Sequence, residues 1–302
     1  MNLFALQRLF TFIFSSFIFS TTAILNAQIN ESHFKIFSTS SGQELSMQAM
    51  AKELLSADVI LFGEEHNDSV THYIQLKLLE ELLQLQNNKL VLSMEMFERD
   101  VQTVLEEYLM DKIKEKHFRK DARVWSNYSD YRPMVELAKS RSIKIVAANA
   151  ASRYSNLAGR EGIEGLKALP KASKAHFAPL PFDGPSPAYL ERLNALMGHG
   201  VPAAMGGFNL PLAQSLWDAT MAYSIAEARK KHKSHKVLHL NGRFHSDERL
   251  GIFTHLKKYA PKTKVMVISA FSDEHFPEYK PEQHRALGDF IILTDPTIPK
   301  TY

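Results

Sequence analysis

The sequence predicts an α/β protein, a mostly parallel β-sheet flanked by helices, with a small helical insert subdomain. Three observations carry that expectation. Short apolar, β-branched runs recur along the chain, helical patterns lie between most of them, and one long stretch interrupts the alternation. Alternation favours parallel strands because a parallel pair needs a crossover, which a helix supplies.

The strand-sized runs fall at residues 59–62, 90–92, 143–147, 237–240, 265–268 and 290–293. Residues 72–85 place Ile74, Leu78, Leu79 and Leu82 on one helical face, and residues 101–109 and 134–138 behave similarly. Residues 214–228 are amphipathic and follow Pro211, and the pattern at 247–259 stops before Pro261. Residues 155–208 hold no convincing strand. Helical pieces at 156–169 and 188–197 are separated by breakers such as Pro170, Pro179, Pro185, Pro202, Gly198 and Gly200. The expected division is therefore a first α/β part at 28–154, a helical insert or lid at 155–208, and a second α/β part at 209–302.

The chain has 302 residues, 45% hydrophobic and 23% charged, with a formal net charge of +3. These are ordinary globular values. No basic block of the nucleic-acid-binding kind is seen. The run Arg229-Lys230-Lys231-His232-Lys233 reads as the solvated C-terminal end of a helix, where cations suit the dipole. Residues 1–27 read as a cleaved signal peptide: Arg8 supplies the positive charge, 9–25 is nearly all apolar or hydroxylic, and Ala27 precedes the expected cut. The apolar stretch is at the short end for a membrane span. The chain is thus expected to be exported to the periplasm or cell envelope. It contains no cysteine, which excludes disulfides, thiolate metal sites, cysteine nucleophiles and a lipoprotein anchor.

In parallel sheets ligands bind beyond the carboxyl ends of the strands. Phe62-Gly63-Glu64-Glu65-His66-Asn67-Asp68 follows the first run, with His72 nearby; Asn67 and Asp68 are expected to cap the next helix. Ser93-Met94-Glu95-Met96-Phe97-Glu98 places Glu95 at or just past an apolar strand, where it needs a partner such as Arg132 or Arg243. Leu240-Asn241-Gly242-Arg243-Phe244-His245 repeats the Gly-x-x-His pattern after another strand. Imidazoles and carboxylates converging at one sheet edge suit a divalent metal or general acid–base work. Trp125-Ser126-Asn127-Tyr128-Ser129-Asp130-Tyr131-Arg132-Pro133 forms either a packed rim or the wall of a ligand pocket.

These segments, with Ala148-Asn149-Ala150 and Leu216-Trp217-Asp218-Ala219-Thr220-Met221-Ala222, resemble the ChaN-like haem-binding, iron-regulated family of the Tiki/TraB/erythromycin-esterase superfamily. The resemblance runs from about Asp58 to the last strand. It implies an envelope protein for haem and iron acquisition, with haem at a homodimer interface and tyrosine and histidine as iron ligands. It also suggests peripheral association with outer-membrane uptake machinery. Family members are often lipoproteins, a feature this cysteine-free chain lacks. Tyr154 is the preferred phenolate candidate and His199 the preferred imidazole candidate, both flanking the insert, with His176 and Tyr189 as substitutes.

An alternative within the same superfamily is a metal-dependent hydrolase of the esterase or peptidase kind. There Glu65, His66, Glu95 and His245 would hold a metal or activate water, and Arg243 would stabilise the oxyanion.

Overall fold

The computed structural model describes residues 29–197, 204–205 and 207–302. The expected signal peptide and the candidate ligand His199 lie outside the described residues. The strands in chain order are β1 (Phe34–Ser38), β2 (Glu44–Leu45), β3 (Val59–Glu64), β4 (Leu90–Glu98), β5 (Lys144–Asn149), β6 (Ala204–Met205), β7 (Phe208–Asn209), β8 (Lys236–Gly242), β9 (Val265–Ser272) and β10 (Phe290–Thr294). The helices are α1 (Met47–Leu54), α2 (Ser69–Leu85), α3 (Gln102–Leu109), α4 (Glu115–Asp121), α5 (Tyr128–Ser140), α6 (Ser152–Ala168), α7 (Lys171–Lys174), α8 (Pro187–Leu196), α9 (Leu210–Lys231), α10 (Ile252–Tyr259) and α11 (Pro281–His284).

Eight strands form one sheet in the order β2-β1-β10-β9-β3-β8-β4-β5. All six runs expected as strands are parallel within it. β1 and β2 were not foreseen. They close one edge antiparallel, β1 against β10 and β2 against β1. β1 is a five-residue strand carrying Lys35, and β2 has two residues. Such short edge elements give a weak periodic signal.

The chain winds outward from β3 through β4 to β5. It then returns to insert β8 between β3 and β4, and β9 on the other flank of β3. Side chains alternate across the sheet, so each central strand feeds two cores. Ile60, Phe62, Leu92, Leu238 and Ile268 join the layer containing α1, α2 and α5. Val59, Leu61, Val91, Val237 and Val267 join the layer containing α9 and α10. The α2 face works as read, since Ile74, Leu78, Leu79 and Leu82 are all fully buried. Asp68 caps that helix by accepting from Val70 N at 2.9 Å and Thr71 N at 3.2 Å. Asn67 does not cap it and instead donates to the Tyr302 carbonyl.

Within 155–208, α6, which begins at Ser152, is followed by the separate helices α7 and α8, and β6 pairs antiparallel with β7. That two-residue pairing is a strand the sequence did not show; it is too short for any alternation to register. Tyr154, Ala158, Leu166, Phe177 and Phe182 share a core with Leu216 and Ala219 of α9.

Candidate functional site

Strand order explains why the three strand-end segments meet. β8 is hydrogen-bonded to β3 on one side and β4 on the other, with Glu64 opposite Gly242 and Met94 opposite Leu240. The two Gly-x-x-His turns therefore sit side by side, and their glycines make room for each other. A Cβ on Gly242 would stand 2.7 Å from His66 Nε2, and one on Gly63 would stand 2.8 Å from Arg243 Cα. Neither approach leaves space for a side chain.

Two carboxylate–imidazole units result. On the α2 and α5 side, Glu64 Oε1 lies 2.7 Å from His66 Nδ1 and accepts from the Tyr131 hydroxyl at 2.5 Å. Glu64 Oε2 accepts from Gln75 Nε2 at 2.5 Å. His72 is buried beside this carboxylate, 3.5 Å away, and packs edge to face on Tyr131. On the α9 side, Asp218 Oδ1 lies 2.8 Å from His245 Nδ1, and Glu95 Oε1 lies 3.6 Å from His245 Nε2. Glu95 Oε2 accepts from Gly242 N at 2.7 Å.

These contacts set the charges. Burial opposes a charged imidazole at His245, but the Asp218 and Glu95 carboxylates outweigh it and push its pKa up to about 9. Burial also disfavours ionised Glu95, yet His245, His66 and the Gly242 N–H hold it below the usual carboxylate range. His66 is raised in the same way: burial works against its charge, and Glu64 and Glu95 prevail. At neutral pH His245 and Glu95 are therefore oppositely charged, and His245 is not a poised neutral base. His239, deeper on β8 and bonded to Ser93 at 2.9 Å, is the exception. Burial drives its pKa down to about 3, so it stays neutral.

Above this centre lies a cleft of about 580 Å³, within the range of small-molecule and cofactor sites. Its walls are Trp125, Trp217 and Phe244; His66, His245 and Glu95 form part of its lining, and Leu193, Leu196 and Met197 of the α8 end border it. The α8 helix is pinned over the β8 turn. Arg192 pairs with Asp247 at 2.7 Å and Glu248 at 3.2 Å, and Tyr189 packs on Phe244 with ring centroids 5.0 Å apart. Leu196 and Met197 are 67% and 41% exposed, so the border is apolar and open. Among the described residues the buried Trp217 indole N–H has no hydrogen-bond partner.

His66, Glu95 and His245 are brought together as the sequence suggested, but Glu65 is not. The strand runs on to Glu64, and alternation then turns Glu65 away, to pair with Lys300 at 2.8 Å. The four-residue set Glu65, His66, Glu95 and His245 is thus not assembled, and among the described residues no three His, Asp or Glu side chains group as a metal site. Arg243 also departs from expectation. Its guanidinium lies over Phe271 at 4.0 Å and pairs with Asp247 at 2.9 Å, away from the cleft. Glu95 is partnered by neither arginine proposed for it; Arg132 pairs with Glu115.

Tyr154 does not line the cleft. Its ring packs 5.1 Å from Phe177, and its hydroxyl accepts from Arg153 at 3.1 Å. Ser152, two positions earlier on α6, does line the cleft; side chains two apart on a helix point roughly 200° from one another. His176 is half-buried beyond α7 and lines no part of the cleft. Of the aromatic segment, Trp125 is a cleft wall while Tyr128 and Tyr131 are core.

Sequence reasoning named Asp218 and Trp217 only within a segment that carries the family resemblance, and Tyr131 only within the aromatic rim or pocket wall; it gave none of them an individual role. For Asp218 one signal existed: an acidic residue in a helix that is otherwise apolar on most faces, as the burial of Leu216, Ala219, Met221, Ala222 and Ile225 bears out.

The sequence profile described as haem-binding uptake, Tiki superfamily, ChaN matches residues 50–256. The chain belongs to this family of haem-binding proteins, the family its strand-end segments resembled. Among solved structures it is similar to ChaN of Campylobacter jejuni, described there as cofacial heme binding: 20% identity over 88% of this chain and 98% of that one, TM-score 0.66. That likeness establishes a shared α/β fold. The type III effector HopBA1 (10% identity, 82% and 93% of the two chains, TM-score 0.46) and a Bacillus cereus protein (11%, 80% and 72%, TM-score 0.44) are more distant. No curated protein matches the chain at a significant level.

Proposed function

We propose that this chain is an exported envelope protein that captures haem in the strand-end cleft and serves haem and iron acquisition. The carrying observation is the cleft itself: flat aromatic walls at Trp125, Trp217 and Phe244 beside the imidazole of His66, with an apolar border at Leu196 and Met197. Aromatic and aliphatic walls suit a macrocycle, and an imidazole is a haem-iron ligand. The buried Trp217 N–H, unpartnered among the described residues, would serve as a donor to a ligand carboxylate once the ring turns to expose it to the cleft. His245 is the poorer iron ligand, because both its nitrogens face carboxylates and it carries a proton at neutral pH.

The open apolar border supports a dimeric arrangement in which a second copy covers the haem. His199 is the second candidate for the iron, since it follows Met197 of the cleft border by two positions; Tyr154 is disfavoured, because it would have to leave its packing on Phe177 to reach the cleft. The leader-like residues 1–27 support export. The family description as uptake proteins supports acquisition, in which contact with outer-membrane machinery is part of the reading.

The hydrolase reading keeps one support, the Asp218–His245–Glu95 chain, which as an acid–base device would act as a proton donor.

Deletion of the gene and fractionation of the cells test the proposal together. The protein should appear in the envelope fraction, and the deletion should slow growth when haem is the sole iron source but not when a ferric salt is supplied. Normal growth on haem, or a cytosolic protein, overturns it.

A further inference from the structure

At the far end of α9 from the cleft lies a second recess of about 740 Å³, walled by Tyr223 and Tyr259 and rimmed by Arg229, Lys230, Lys233 and Lys262. The two rings meet edge to face, 5.5 Å apart. Trp217 lines the cleft and Arg229 the recess, so the two are roughly 18 Å apart along the helix axis.

Complementing the helix dipole accounts for only part of this charge. Arg229, Lys230 and Lys231 close the last turn of α9. Lys233, Lys262 and Lys264 lie outside any helix. The nearby carboxylates are already taken: Glu227 by Arg99 at 3.0 Å, and Asp58 by Arg229 at 3.0 Å. Among the described residues, Lys230, Lys231, Lys233, Lys262 and Lys264 have no ion-pair partner. Like charges are crowded here. Burial lowers the pKa of Lys236, and Arg229 and Lys264 add to the lowering despite Asp58. Such a concentration of uncompensated cations creates a local positive potential that attracts anions.

We propose that this recess is a docking site for the phosphate groups of an anionic lipid surface. Lys230, Lys233 and Lys262 are exposed on the rim and not buried around an enclosed point, which fits an array of phosphates better than a single free phosphate. Tyrosine suits the wall of such a site, since its ring is apolar and its hydroxyl polar, the balance found at membrane interfaces. Docking there would leave the cleft, at the other end of α9, facing away from the lipid. This inference does not depend on haem lying in the cleft.

The test is sedimentation of the full chain with lipid vesicles, comparing the parent with K230E/K233E/K262E, so that the N-terminal segment is common to every arm. Vesicles of phosphatidylcholine with about a third phosphatidylglycerol should bind the parent at low salt, and the variant should bind about tenfold more weakly or worse. The difference should shrink as salt is added, and should be absent on phosphatidylcholine alone. An unchanged far-ultraviolet circular dichroism spectrum and melting temperature in the variant would show that it is folded. Equal binding of parent and variant to the anionic vesicles overturns the proposal. So does inorganic phosphate displacing the parent at micromolar concentration, which would mark a free-phosphate site.

Discussion

Gly242 lies so close to His66 that a Cβ on it would meet Nε2 at 2.7 Å and Cε1 at 3.1 Å. The glycine of one Gly-x-x-His segment therefore seats the histidine of the other. The repeated pattern is a packing relationship between two adjacent strand ends before it is anything chemical. Gly242→Ala should displace the His66 ring and cost about 1–3 kcal/mol of stability, as overpacking does. Denaturant unfolding gives the stability, and a shifted His66 imidazole resonance would report the displacement. An unperturbed ring and unchanged stability would show the fit to be loose.

Asp218 is the residue that charges His245. With Asp218→Asn, the His245 pKa should fall from about 9 toward its ordinary 6.5 or below, because burial then meets less opposition. Titration of the imidazole by NMR reads this directly. A pKa that stays near its parent value would leave Glu95 as the dominant partner.

His245 and Glu95 together make stability depend on pH. His245 has a folded pKa above 6.5, so its contribution is complete below that pH and is lost as pH rises through about 9. Glu95 is depressed below 4.5, so its contribution is present above pH 4.5 and fades as pH falls through its lowered value. The pair thus contributes most between those limits. Melting temperature should decline from neutral to alkaline pH in the parent and decline less steeply in Asp218→Asn. Parallel profiles would contradict the assignment.

Trp217→Phe keeps an aromatic wall and removes one donor. If that N–H meets a carboxylate of the ligand, hemin affinity should drop about tenfold, the worth of one charge-assisted hydrogen bond. An absorbance titration gives the affinity, and an unchanged value would assign the indole to packing alone.

The sheet was legible because its strands are buried on both faces and read as continuous apolar runs, as in Val59-Ile60-Leu61-Phe62. Their ends were less so. β3 and β4 continue past the apolar run, to Glu64 and Glu98, through residues that look like loop. That extension reassigns Glu64 and Glu65 to opposite directions, and only Glu64 reaches His66. Glu95 likewise proves to be inside its strand. Asp218 and Trp217 come from a helix far along the chain, and their place at the site depends on α9 packing across β8, which no local pattern records. Tyr154 illustrates the converse: its position beside the insert was visible, but the face of α6 it occupies was not.

The most direct measurement is a hemin titration followed at the Soret band, with parent, His66→Ala, Leu193→Arg and Tyr154→Phe compared. The account gives a saturable, shifted band in the parent, an altered or weakened one when His66 is removed or the cleft is filled by Leu193→Arg, and little change for Tyr154→Phe. Absence of saturable binding, or a spectrum insensitive to His66 and Leu193 but abolished by Tyr154→Phe, would contradict haem capture in this cleft.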